Sequence, residues 1–316
     1  MTETDPVVRG SRRGKAWTRV GRGLHRSTAW NPSHADLRAW QRLLPESACF
    51  THLTAARLHG LALPPVPEDL PAFVSMRTVD DRPRRPELRV FRHPHAVPQR
   101  TCSGLRIATP AEALLVAARD LRLLDMVVLC DSALHLGACS LDELCAAAKG
   151  RRWGAAMLRR TIPYVEARAE SPWESVLRMF HAACEVPVVP QFEVLDAAGR
   201  FVARGDLRVE GTQQIHEYDG EVHRDRRTHH ADLTRDRRIL DAGWQRRGYT
   251  SRDLLTRAHV MLREADAALS RPHDPARLEA WYALLRTSLF SPLGQARLRE
   301  RWRLPRADPS PGPPEP

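Results

Sequence analysis

The strongest constraint on this chain lies between residues 171 and 249, where turn signals cut a run of alternating residues into strands of defined length. Asp196-Ala197-Ala198-Gly199 marks one turn and Glu210-Gly211-Thr212 the next. The stretch reads as a helix carrying one glutamate, a three-strand meander, a basic helix and a last strand. Side chains on a strand alternate with a period of two. A second turn centred on either Glu210-Gly211 or Gly211-Thr212 therefore sets Asp206, Glu217 and Asp219 on one face. Leu207, Val209, His216 and Tyr218 then make the core side. Three acids on one strand pair repel one another, so the arrangement calls for a cation among them. Carboxylate oxygens suit a hard divalent ion, Mg²⁺ (or Mn²⁺).

Composition narrows the class of partner. The 316 residues carry a net charge of +11, and the only lysines are Lys15 and Lys149. The positive charge is thus almost all arginine, whose planar fork suits bidentate contact with phosphate. A polyanion is the expected partner; the bland alternative is an arginine-biased surface that is simply solvated. Six cysteines at 49, 102, 130, 139, 145 and 184 include no Cys-x-x-Cys pair, which argues against a zinc ribbon or redox motif. They read as reduced, mostly buried thiols of a cytoplasmic protein. No apolar run approaches ~18 residues, so no membrane span is expected. The chain contains no Gly-x-Ser-x-Gly elbow, P-loop or His-Glu-x-x-His, which disfavours serine hydrolases, NTPases and zincins.

Taken in order, residues 1–15 are polar, basic and expected to be disordered. Ala16–Arg26 reads as a short glycine-bent hairpin. Helices are expected over Pro32–Leu44 and Thr51–His59, the latter stopped by Gly60. Strands follow near Ala72–Met76 and Leu88–Arg92. Thr109-Pro110 starts a helix running through Ala118; Leu123–Leu136 and Ser140–Ala148 are two more, the last with a Ser140-x-x-Glu143 capping box. Ala155–Val165 reads as a helix interrupted at Pro163. Residues 251–303 are helical by period, and the proline-rich end is expected to be disordered.

Single residues carry competing readings. Ser171-Pro172-Trp173-Glu174 fits a capping box, which by itself would explain Glu174. Asp206 sits mid-strand, where aspartate is disfavoured, which favours a metal role over a surface edge position. Asp219-Gly220 also has turn chemistry. His223 is either a proton carrier near neutral pH or a surface histidine, while His229-His230 and His93-Pro94-His95 read as solvated. The helix from about Thr228 to Asp241 sets Arg235, Arg237 and Arg238 beside Asp232 and Asp236. Some of that charge is i, i+4 pairing, and some is free to touch phosphates together with Arg224, Arg226 and Arg227.

At Arg204-Gly205-Asp206-Leu207 and Glu217-Tyr218-Asp219-Gly220-x-x-His223 the chain resembles an actinobacterial domain family related to very-short-patch-repair (Vsr-like) endonucleases, with a PD-(D/E)XK nuclease core. The likeness runs from Ser171-Pro172-Trp173-Glu174 to Gly243-Trp244 and Asp253, roughly 80 residues. Upstream, Phe50-Thr51-His52-Leu53-Thr54-Ala55-Ala56-Arg57-Leu58-His59-Gly60 resembles a segment shared with AbiE-type antitoxins. The resemblance implies an α/β (mixed) chain whose C-terminal restriction-endonuclease-like αβββαβ core follows a mostly helical α+β region. The expected units are a disordered start with a wing-like hairpin (1–28), an antitoxin-like region (29–165), the nuclease domain (166–255), a helical extension (256–303) and a proline-rich tail (304–316).

The same resemblance implies a metal held by Glu174, Asp206 and Glu217, with Asp206, Glu217, Asp219 and His223 as catalytic residues. Arg224, Arg227, Arg235 and Arg238 are the expected DNA contacts. Asp219 stands where a lysine is usual, which passes proton transfer to His223, with His216 as the alternative. The implied activity is a Mg²⁺-dependent DNA endonuclease or nickase. The rival expectation is a catalytically inactive DNA-binding regulator of antitoxin or autorepressor type, with a toxin or regulatory protein as a further candidate partner. An interaction protein with incidental basic charge is the third.

Overall fold

In the computed structural model the described residues are 5–12, 14–30, 34–220 and 226–304, with the side chains of 226–233 outside the description. The described residues form a mixed α/β protein with three sheets. β1 (Val7–Arg9), β2 (Trp17–Gly21) and β3 (Leu24–Ser27) form an antiparallel sheet in the order β1-β3-β2. The expected hairpin is therefore present, but the start expected to be disordered supplies its third strand through the pairing of Val8 with His25. Val7 is buried there with Leu24 and Trp40, and that apolar contact orders the segment.

After α1 (Ala35–Gln41) come β4 (Cys49–Phe50), α2 (His52–Leu58), β5 (Ala72–Arg77), β6 (Leu88–His93), β7 (Gln99–Cys102) and β8 (Leu105–Ala108). The five strands form one sheet in the order β6-β5-β4-β8-β7. This region is thus richer in strand than the sequence suggests. His93 is not solvated as expected: it is half-buried, and its Nε2 lies 3.2 Å from Ser75 Oγ. Four helices follow: α3 (Pro110–Ala117), α4 (Leu123–His135), α5 (Leu141–Ala148) and α6 (Ala155–Thr161). Pro110 stands at the first turn of α3 and Ser140 and Glu143 close a capping box on α5, both as read from sequence.

The second half runs α7 (Pro172–Ala183), β9 (Val188–Leu195), β10 (Phe201–Val209), β11 (Gln214–Tyr218), α8 (Arg226–Asp241) and β12 (Gln245–Tyr249). The element order αβββαβ agrees with expectation. The sheet order is β12-β11-β10-β9, an antiparallel meander with β12 added parallel to β11 through the α8 crossover. Val176, Leu177 and Phe180 of α7 pack with Leu207 and Val209 on one face. Ile239 of α8 packs with Val194, Ala203 and Ile215 on the other. The helices α9 (Ser251–Thr256), α10 (Ala258–Ala268), α11 (Leu278–Thr287) and α12 (Pro292–Trp302) follow.

The two halves share α4. Its Val127 and Val128 join the α7 core, while its Met126, Leu129 and Ala133 join the α3–α6 core. Asp131 of α4 accepts hydrogen bonds from Ser175 Oγ (2.6 Å), Arg178 Nη2 (2.5 Å) and Glu166 N (2.7 Å). A buried carboxylate satisfied this fully fixes geometry more than it adds stability. α12 returns to the first half: Trp302 donates from Nε1 to Asp120 at 3.0 Å and stacks edge-on to Phe73. Among the described residues no helix is long and apolar enough to cross a membrane. All six cysteines are free, four of them buried.

Candidate functional site

The acids are positioned by α7 and the β10–β11 hairpin. Ser171 caps α7, its Oγ accepting from Glu174 N at 3.2 Å, with Pro172 in the first turn. The capping box is only half made. The Glu174 carboxylate turns instead to Glu170 N (2.9 Å) and Gln191 Nε2 (3.1 Å). Leu207 pairs with His216 and Arg208 with Ile215, so the hairpin is centred on Gly211-Thr212 and sets Asp206 beside Glu217. Asp206 Oδ2 accepts from Tyr218 N at 2.9 Å. Leu207, Val209, His216 and Tyr218 form the core side as expected, Tyr218 stacking on Trp173 at 5.5 Å.

The counter-charge for these acids comes from the protein. Glu217 is 5% exposed and receives Arg235 Nη1 at 2.9 Å, Arg235 Nη2 at 2.6 Å and Arg246 Nε at 2.5 Å. Arg246 Nη2 also binds Asp219, and Asp236 stands 3.7 Å from its Nε. Burial works to raise the Glu217 pKa, but the two guanidinium groups outweigh it and hold it below the usual 4.5. Gly248 of β12 lies opposite Glu217, and a Cβ there would overlap the Asp219 carboxylate. Only glycine lets β12 and this ion-pair network approach so closely.

Asp206 is different. Burial, then the negative charge of Glu174, and further that of Glu217 push its pKa up from 3.8 to about 7, against the opposing Tyr218 N–H and the more distant Arg235. Among the described residues no cation is ion-paired with it. Asp206 and Glu174 accept no hydrogen bonds among the described residues beyond those given above.

These placements bear on several expectations. Both oxygens of Glu217, expected to hold a metal together with Glu174 and Asp206, are taken by arginine in this structure. Among the described residues no group of three or more His, Cys, Asp or Glu side chains is placed to hold one metal ion. Arg235, expected on the DNA backbone, points inward onto Glu217 and Arg204 O (2.8 Å). The sequence held the signal: Arg235 precedes the buried Ile239 by four residues, which sets both on one helix face. Arg238 is exposed, as a phosphate contact requires. His223, Arg224 and the Arg227 side chain lie outside the described residues.

His216 cannot replace His223. It faces α7, on the sheet side away from the Glu217 network, with its Nδ1 2.7 Å from His181 Nε2. His181 Nδ1 lies 2.8 Å from Leu177 O, which can only accept. His181 is therefore the Nδ1–H tautomer, and His216 donates to its bare Nε2. Burial pushes His181 down to about 4. Burial first, then His181 and Arg247, hold His216 well below its ordinary 6.5. Both are neutral core residues.

Arg246 is the site residue that sequence reasoning missed. Alternation along Gln245-Arg246-Arg247-Gly248-Tyr249 puts 246 and 248 on one face, but which strand they face depends on the crossover. Comparison with family models, curated proteins and solved structures returned no match for this chain.

Proposed function

We propose that residues 166–255 are a Mg²⁺-dependent (or Mn²⁺-dependent) DNA endonuclease or nickase domain, restriction-endonuclease-like and related to the Vsr-like PD-(D/E)XK enzymes. The observation that carries this reading is Asp206: a strand carboxylate beside two further acids, whose proton affinity is raised first by its burial and then by the negative charge of Glu174, with no ion pair to it among the described residues. The αβββαβ element order supports it. Glu174 and Asp206 have the oxygen-donor chemistry that fits a hard cation, and Glu217 would join them only on leaving its arginines. When bound, such an ion lowers the pKa of its water and offsets charge on the leaving oxygen. The protein's own part is to hold Glu174 through Ser171 and Gln191, to fix Asp206 through Tyr218 N, and to offer exposed Arg237 and Arg238 of α8 to the phosphate backbone.

A second reading has its own observation. Glu217 and Asp219 are already neutralised by Arg235 and Arg246, so most of this site is charge-balanced without a metal. That favours a DNA-binding regulator on a nuclease-like scaffold. Incubating supercoiled plasmid with wild type and Asp206→Ala, each with Mg²⁺ or Mn²⁺, separates the two. The nuclease reading expects nicking by wild type alone. Equal nicking by both proteins would refute the site, and salt-dependent DNA binding that ignores both metal and the substitution would establish the regulator.

A further inference from the structure

A second site lies in the first half, independent of the carboxylates. A cavity of about 640 Å³ opens between the end of β6, α3 and the turn before α6, within the roughly 300–1,000 Å³ typical of small-molecule sites. Arg92, Arg119, Arg151 and Arg152 line it together with Trp153, and no carboxylate does among the described residues. Trp153 is 79% exposed, so packing does not explain an indole here.

The turn that carries Trp153 is pinned. Gly154 has φ +94° and a Cβ there would overlap Leu115 O of α3. Arg152 grips Glu112 of α3 with both nitrogens, one at 2.7 Å. Arg159 holds Ala148 O at 2.6 Å and Gly150 O at 3.0 Å. These contacts fix Trp153 and Arg151 at the cavity mouth before any ligand arrives.

Arg119 is the group left unfilled. Its guanidinium lies 4.8 Å from the Phe91 ring centroid and 5.7 Å from that of Trp153. It is half-buried and its side chain makes no hydrogen bond among the described residues. A desolvated guanidinium with open donors is a receptor for an oxyanion, and the exposed indole beside it is a stacking platform for a planar ring. Pro94, Val97 and Val116 supply an apolar wall.

We propose that this cavity binds a nucleotide, its phosphate on Arg119 and Arg151 and its base stacked on Trp153. The ligand's chemistry is a phosphate joined to a planar base, whether as a free nucleotide or as the phosphorylated end of a single strand. Neither Arg152, engaged by Glu112, nor Arg92, which donates to Thr78 O and Asp80 O, is needed for direct contact.

The test titrates the full chain by calorimetry with dAMP, deoxyadenosine, inorganic phosphate and a short 5′-phosphorylated oligodeoxyadenylate. The proposal expects dAMP to bind at least about tenfold more tightly than either fragment. Trp153→Ala and Arg151→Glu, both at exposed positions, should each weaken it about tenfold or more, as base stacking and charge-assisted bonds imply. Arg119→Met should abolish it. Tighter binding of the oligonucleotide assigns the strand end, and binding of dAMP alone assigns the free nucleotide. Absence of dAMP binding, equal affinity for inorganic phosphate and dAMP, or full affinity in Trp153→Ala would each overturn the proposal.

Discussion

Replacing Asp206 by Asn removes a charge while keeping the side chain's shape and the oxygen that accepts from Tyr218 N. In the wild type the folded carboxyl holds its proton up to about 7 against an ordinary 3.8. Folding therefore costs nothing at this group below the unfolded value. Between about pH 4 and 7 the folded form binds more protons than the unfolded chain, so stability falls as pH rises, and above 7 the penalty is complete. At about 1.4 kcal/mol per tenfold change in proton affinity the full penalty is about 4 kcal/mol, which solvent screening at this partly exposed group reduces to about 2 kcal/mol. Asp206→Asn should thus melt about 3 °C above wild type at pH 8 and together with it at pH 4. Scanning calorimetry at both values measures this. Under the metal reading, Mg²⁺ at a hundredfold excess over its Kd adds about 2.7 kcal/mol to wild type and nothing to the variant. A variant no more stable than wild type at pH 8 would refute the claim that this carboxylate lacks a counter-charge.

Three further outcomes follow from the packing. Arg246→Met leaves Asp219 without its guanidinium and Glu217 with Arg235 alone, and should cost about 3 kcal/mol in urea unfolding; an unchanged midpoint would show that the pairs add nothing. His181 and His216 are held neutral, so the unfolded chain takes up their protons first as pH falls from about 6.5 towards the folded value of about 4. Wild type should lose stability through that window, and His181→Gln should lose less when the two denaturation profiles are compared. Gly154→Ala forces a side chain into a left-handed backbone position against Leu115 O, at about 1–3 kcal/mol, read from its melting temperature.

What the sequence discloses and what it hides follow one physical line. Local signals held: the Gly211 turn, the Ser171 and Ser140 caps, Pro110 in the first turn of α3, and the alternation that separates Leu207 and His216 from Glu217. Features fixed by distant chain did not. β4 is two residues long and β7, Gln99–Cys102, is exposed throughout, so neither carries a period to read. Val7–Arg9 looks like a polar start until β3 gives it a partner. α12 reads as part of an extension, yet Trp302 is buried against Phe73 and Asp120 of the first half. The candidate site divides likewise. The acids declare themselves by type and spacing, whereas their arginine partners come from α8 and β12, whose side-chain directions depend on how the crossover seats Ile239.

That division decides where the two readings of the site part company. Glu217 and Asp219 have their opposite charge built into the fold, so a substitution at either breaks ion pairs and perturbs stability whether or not a metal ever binds. Loss of activity there cannot separate catalysis from architecture. Glu174 is held by hydrogen bonds from Glu170 N and Gln191, and Asp206 by one from Tyr218 N, with no ion pair on either carboxylate among the described residues. A regulator that uses only the scaffold gains from losing the charge at 206, because the repulsion disappears and no contact is broken. A hydrolase forfeits its cation by the same change. For Asp206→Asn the two functions therefore predict the same rise in stability without metal and part only on Mg²⁺, which stabilises wild type but not the variant in a hydrolase and neither protein in a regulator.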